Sequence, residues 1–392
     1  MPFDFDEIIP RKGTNCIKHD FARERGLPAD VLPLWVADMD FRTPPAVVEA
    51  LVETAKHGIF GYSDVKDDYF EAVRDWFARR FSFEPKREWL KKTPGVVCAL
   101  NAAVRAFTKP GDAVIIQSPV YYPFFSAVRD NGRTLVDNPL VYRDGAYSID
   151  FRDLDEKARS SGAKLFLFCS PHNPVGRVWT RDETKELGKI LKKRDCLIFS
   201  DEIHCDFVWG KNVHGIFNGV NPDQNDLTIL ATSPSKTFNL AGLMISNVFI
   251  PNPKLKKAFS DELSRAGLSQ LCVMGLNACK AAYLRGEPWL IELKAYLENN
   301  LSFSRNFVLE RLPGVFPVET QGTYLLWLDF GKLGKTREQL NDLIINKAKL
   351  WLDEGLIFGE AGRNFQRINV ACPKSVLEEA FLRLERALKE NP

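Results

Sequence analysis

The middle of the chain repeats one alternation of apolar and polar stretches. A short apolar run ends in a polar or Gly/Pro cluster, and a helix-like segment follows: "DAVIIQ" before "SPVYYPF", "AKLFLFC" before "SPHNPVG", "CLIF" before "SDEIH", and "LTILA" before "TSPSK". Uninterrupted apolar runs suit strands covered on both faces, and their alternation with helical segments is the βαβ pattern. In a parallel sheet the polar clusters fall together at the carboxyl ends of the strands, where open α/β folds bind ligands. Residues far apart in sequence are therefore expected to converge on one edge.

The stretch "TPGVVCALNAAVRAFTKPGD" (93–112) predicts a turn at Pro94 and Gly95, a helix, and a stop at Pro110 and Gly111. The start of that helix offers free backbone N–H groups to an anion. The last third changes texture. Long amphipathic helices are expected in "EPWLIELKAYLENNLSFSRNFVLERL" and "TREQLNDLIINKAKLWLDEG", with strands in "TYLLWLDF" and "QRINVAC" and a capping box from Ser375 and Glu378. Gly and Pro in "RGEP" (285–288) interrupt a helical pattern and mark a boundary, while the first 45 or so residues, rich in Pro and aromatics, read as an arm that packs elsewhere. The expected fold class is α/β. A large domain (46–286) carries a mostly parallel sheet flanked by helices, and residues 1–45 with 287–392 form a smaller α+β domain.

Composition narrows the function. With 392 residues and 45% apolar content the chain can bury a large core, and 53 Lys plus Arg against 51 Asp plus Glu give a net charge of +2. No block of like charge stands out, so neither a nucleic-acid nor a membrane footprint is expected, and a small polar or zwitterionic ligand fits better. The N-terminus lacks a basic segment followed by an apolar one, and no uninterrupted apolar window is long enough to span a bilayer, so the expected location is cytoplasmic. Eight cysteines without a C-x-x-C pair read as small reduced hydrophobes, and five dispersed histidines give no metal site.

Candidate chemistry lies at the polar strand ends. Lys236 follows "TSPS" directly after an apolar run. The ordinary reading is a solvated structural lysine. A partly desolvated lysine beside anion-binding hydroxyls, however, can lose its proton and attack an aldehyde cofactor. Asp201 in "SDEIH" is either a strand-end acid or the carboxylate facing a pyridinium nitrogen. Asn173 in "SPHNPVG" could serve a ligand or simply open a turn, and Tyr121 and Tyr122 are equally able to stack on an aromatic ring. In "RINVA", strand alternation puts Arg367 and Asn369 on one face, where a guanidinium can clamp an α-carboxylate; Arg363 is the alternative.

Together, "SPSKTFNLAGL", "SDEIHCDFV", "SPHNPVGRVW" and "LPLWVADMDF" resemble the pyridoxal-phosphate enzymes of the aspartate-aminotransferase superfamily (fold type I), and most closely the bacterial cystathionine β-lyases (C–S lyases) of the MalY/PatB type. The resemblance runs from about residue 30 to the C-terminus. It implies a large and a small domain, pyridoxal 5'-phosphate as cofactor, and Lys236 as the Schiff-base lysine. Asp201 would partner the pyridine nitrogen, Asn173 the ring oxygen, and Tyr121 would stack on the ring. The phosphate would sit at Val97 and Cys98 with Ser233 and Ser235, joined by Tyr62 from a second subunit of a homodimer. Arg367 and Asn173 would hold the amino-acid substrate, with Trp35 and Ala37 at its mouth. Two positions depart from the transaminating relatives, which carry Tyr and Arg where this chain has His204, near the ring oxygen, and Met244. The implied activity is cleavage of L-cystathionine or related S-substituted cysteines to pyruvate, ammonia and a thiol. An aminotransferase on the same scaffold, or a regulatory binding protein that retains the cofactor site, are the alternatives.

Overall fold

The structure, a computed structural model, describes residues 3–391. Its centre is a seven-stranded sheet. The strands are β1 (Leu90–Thr93), β2 (Ala113–Ile116), β3 (Thr134–Asp137), β4 (Leu165–Cys169), β5 (Leu197–Asp201), β6 (Thr228–Thr232) and β7 (Ser246–Phe249). Their spatial order is β1-β7-β6-β5-β4-β2-β3. All neighbours are parallel except β7, which runs antiparallel to both β1 and β6.

Period-two geometry explains why these apolar runs need two cores. Val114, Ile116, Leu165 and Leu167 face helices Val96–Phe107 and Pro253–Arg265, whereas Ala113, Ile115, Phe166 and Phe168 face helices Phe151–Ser161 and Arg181–Lys193. β2 and β4 are thus buried on both sides. Register sets Asp201 level with Cys169 on one neighbour and Ala231 on the other, so β4, β5 and β6 end together.

A second sheet has four strands, β8 (Phe316–Pro317), β9 (Leu325–Asp329), β10 (Asp353–Glu354) and β11 (Phe365–Asn369), in the antiparallel order β8-β9-β11-β10. Helices Glu287–Arg311 and Lys374–Glu390 cover it. The helical pattern does break at Gly286, between helices Val273–Arg285 and Glu287–Arg311; a β-carbon there would meet the Ala282 carbonyl at 2.5 Å. The N-terminal arm lies across the molecule. Phe5 packs on Phe41, Trp289 and Tyr296, and Leu32–Pro33 pairs in parallel with Leu350–Trp351.

Two local expectations differ from the structure. The helix expected through "TREQLNDLIINKAKLWLDEG" stops early: Arg337–Asn341 is α-helical, Asp342–Lys347 widens to a π-turn, and Lys349 adopts a φ of 54°. Leu350–Trp351 and Asp353–Glu354 are instead short strands, because the arm and β11 supply pairing partners that local periodicity does not show. The Ser375–Glu378 box is also absent. Pro373 holds the cap position of the last helix, and Glu378 pairs with Lys374 one turn away (3.7 Å).

Candidate active site

Lys236 sits in a single helical turn, Pro234–Thr237, immediately after β6. Ser233 caps that turn by accepting the Ser235 amide (3.0 Å), while its hydroxyl donates to the Ile245 carbonyl (2.6 Å). Thr237 donates to Asp206 (2.8 Å), which also accepts Arg80 Nε (2.7 Å). The lysine is therefore braced from both sides. Its Nζ donates to a backbone oxygen, that of Ala37 (2.6 Å), which also accepts the Tyr324 hydroxyl (3.0 Å). Burial lowers the amine to about 8; Arg367 pushes the same way, against Asp38 and Asp201.

Asp201 ends β5 and is buried, with Oδ1 accepting only the Ile203 amide (3.1 Å). Burial raises its carboxyl to about 7 and Glu202 adds to the rise, while the Ile203 amide and Lys236 oppose it. His204 is held neutral, well below its ordinary value, by burial and by the charges of Lys236 and Arg367. Its Nδ1 is buried without a partner, and its ring meets Tyr324 edge-on at 5.8 Å.

Arg367 projects from the polar face of β11. Nη1 donates to Asn173 Oδ1 (2.8 Å), Nη2 to the Trp35 carbonyl (3.0 Å) and to the Asp353 carboxylate, and the guanidinium lies over Phe358. Nε is buried and unpartnered, so one donor stays open. Burial raises the Asp353 carboxyl even with Arg367 opposing. The other candidate, Arg363, pairs with Glu360 on the surface (2.5 Å).

Lys236, Asp201 and His204 line a cavity of about 160 Å³ whose wall also includes Gly95, Val97, Tyr121, Asn173, Ala37 and Ser235; Arg367 is not on that wall and adjoins it through Asn173. Tyr121 faces it, whereas Tyr122 lies in a separate surface groove. Gly95 (φ 93°) opens the N-terminus of helix Val96–Phe107, which no side chain caps, so its first amides are free for an anion. Cys98 is partly buried and not on this wall, and its thiol is raised by burial. Trp35 is not on this wall. Its indole stacks on Trp351 (4.6 Å) under the Arg25 guanidinium, and only its carbonyl reaches Arg367. Ser233 lies behind Ser235, and Tyr62 is 97% exposed and not on this wall. Met244 is exposed in a left-handed turn (φ 48°).

Asp353, Tyr324 and Asp38 were not singled out by sequence. Asp353 lies inside the stretch expected to be helical, although the apolar positions 350–352 followed by the acids Asp353 and Glu354 are a strand-end signal. Among the described residues no group of three or more His, Cys, Asp or Glu is placed to hold a metal ion, and no helix is long and apolar enough to cross a membrane.

The family model for aminotransferase class I and II matches residues 29–384. The chain belongs to that family. It is 40% identical to cystathionine beta-lyase PatB of Bacillus subtilis (strain 168), over 98% of this chain and 100% of that protein. The structure of cystalysin from Treponema denticola, which contains a pyridoxal 5'-phosphate cofactor, superposes with a TM-score of 0.97 at 37% identity, covering 100% of both chains. A pyridoxal-phosphate-bound C–S lyase from Staphylococcus hominis gives 0.93 at 34% identity, covering 98% of each.

Proposed function

We propose that this chain is a pyridoxal-phosphate-dependent carbon–sulfur β-lyase that converts L-cystathionine, or a related S-substituted L-cysteine, and water to a thiol, pyruvate and ammonia. The observation that carries this reading is end-to-end likeness to proteins named for that cleavage, at 40% identity for PatB. The cavity fits the cofactor at three separate points. Lys236 offers an amine held near 8 for the aldehyde, the uncapped helix start at Gly95 offers amides for the phosphate, and Asp201 offers a buried carboxylate with an oxygen to spare for the ring nitrogen.

Bound there, pyridoxal phosphate supplies the electron sink for the pair left at the substrate α-carbon. The chain supplies orientation and proton handling. The neutral amine of Lys236 takes the α-proton and delivers it onward, a role that needs a pKa near the working pH. Arg367, joined to the cavity wall through Asn173 and paired with Asp353, would hold the substrate carboxylate. Tyr121 on the cavity wall would stack on the ring, and His204, kept neutral, would add no charge beside it.

The same proposal assigns residues 46–286 to the cofactor-bearing domain and residues 1–45 with 287–392 to the smaller one. It includes a homodimer, supported by Ile59, Phe60 and Tyr62, which stand 73%, 61% and 97% exposed in one short segment. A cytoplasmic setting is supported by eight free thiols. The deciding assay supplies cystathionine without a keto acid. Equal release of pyruvate, ammonia and thiol over many turnovers is expected. Turnover that requires a keto acid and yields a new amino acid would replace the lyase with an aminotransferase.

A further inference from the structure

The segment Trp35–Phe41 belongs to the arm, yet nearly every carbonyl along it is gripped by a side chain from a site-bearing element. Arg367 takes Trp35, Asn369 takes Val36 (2.6 Å) and Asp38 (2.5 Å), Lys236 takes Ala37, and Asn239 takes Met39 (3.0 Å) and Phe41 (2.9 Å). Beyond that rail lies a charge cluster that the proposed mechanism does not use. Arg11 donates to Asp38 (2.6 Å) and Asp40 (2.6 Å), and the fully buried Lys18 donates to Asp40 (2.7 Å) and stands 3.6 Å from Asp38. Asp38 is thus the residue between the cluster and the carbonyl that receives the Lys236 amine.

We propose that Asp38, clamped by Arg11 and Lys18, is a positioning residue for Lys236: it fixes the Ala37 carbonyl beneath the amine and presents a negative charge to it from the arm. The inference rests on Lys236 being the cofactor-binding lysine. The other groups facing the amine are Asp201 from β5, Arg367 from β11, His204, Tyr121 and Tyr324. Two of the charges, Asp38 and Asp201, favour the protonated amine, and Arg367 disfavours it. Asp38 differs from Asp201 in lying outside the cavity wall, so it can be altered without touching the ring site.

The sign of the effect separates this role from a merely structural one. Removing the Asp38 charge makes the neutral amine easier to form, whereas removing the Arg11 charge leaves the carboxylates less compensated and makes it harder. The test follows the rate at which pyridoxal phosphate recombines with the full-length, cofactor-free protein from pH 6 to 10, with borohydride reduction and peptide mapping to confirm the lysine used. Asp38→Asn should move the midpoint of that profile down by about one pH unit and Arg11→Gln should move it up, each unit being about a tenfold change in neutral amine below the midpoint. Asp38→Glu should restore the native profile. If the label falls on Lys236 but the midpoints of Asp38→Asn and Arg11→Gln coincide with the native one, or move in the same direction, the positioning role is wrong. A label on another lysine instead overturns the reading of the site. Asp38→Asn is nearly isosteric, so loss of fold in Arg11→Gln would leave the downward shift to decide.

Discussion

Two lysines in this molecule stand on opposite sides of the same short arm segment. Lys18 is fully buried and Lys236 lines the cavity, and in both the loss of water is the largest influence on the amine. Their outcomes are opposite. Lys18 has Asp40 at 2.7 Å and Asp38 at 3.6 Å, and together these outweigh burial and hold it charged above its ordinary value. Asp40 is reciprocally held well below its ordinary range: burial favours its protonated form, but Lys18, His19 and Arg11 overcome that. Lys236 has only a carbonyl as its hydrogen-bond partner, with the nearest acids acting from farther off, so burial prevails. Asp201 lacks a contacting cation and rises to about 7. Residue type and desolvation are shared; contact with a counter-charge decides which lysine holds the fold together and which is left free to react.

The comparison can be broken at four points, taken from the largest effect down. Lys236→Ala should abolish turnover, a loss on the order of 10³-fold or more, while leaving the circular dichroism of the native fold unchanged. An active variant would place the reactive amine elsewhere. Asp201→Asn should fold and still take up cofactor but lose on the order of 10²-fold in turnover, the scale of one electrostatic partner removed from a reacting group. Near-native turnover would show that its spare oxygen has no ring nitrogen to serve.

The next two probe stability rather than rate. Lys18→Met strands Asp40 with less compensation and should cost about 3–5 kcal/mol in urea unfolding, as expected when one member of a buried pair is removed. A loss below 1 kcal/mol would mean that Arg11 alone suffices. Lys236→Met should do the reverse in the cofactor-free protein. The folded chain holds this amine at about 8 against an ordinary 10.5, so it binds fewer protons than the unfolded chain between those values. Native stability therefore rises with pH across that window. The methionine variant, which does not titrate, should be more stable than the native protein by on the order of 1 kcal/mol at pH 7, with the advantage shrinking as pH climbs from 8 to 10.5. An advantage independent of pH would assign it to packing.

Much of the fold was legible because β2, β4, β5 and β6 are covered on both faces, so their sequences are continuous apolar runs that end abruptly in polar residues. That same signal delivers Asn173, Asp201 and Lys236, since each lies at or just beyond a strand's carboxyl end. Arg367 follows from simple alternation in β11. The illegible parts share a different cause. Asp353 pairs with Arg367 across a two-residue strand whose partner is set by tertiary contact, and Lys18 meets Asp40 through a loop with no period to read. The family resemblance implies Trp35 at the substrate mouth. Its indole instead turns to Trp351, a partner more than 300 residues away.

That distance bears on how the protein is made. The arm leaves the ribosome long before its docking partners Leu350–Trp351, Arg367 and Asn369. Pairings of such high sequence separation cannot form until the intervening chain has been synthesised, and domains ordinarily fold in the order they emerge. The seven-stranded sheet can assemble while the arm waits, its apolar residues exposed. Ala37 reaches its place beneath Lys236 only when β11 exists to receive the arm, so the site is completed after the strands that carry its reactive groups.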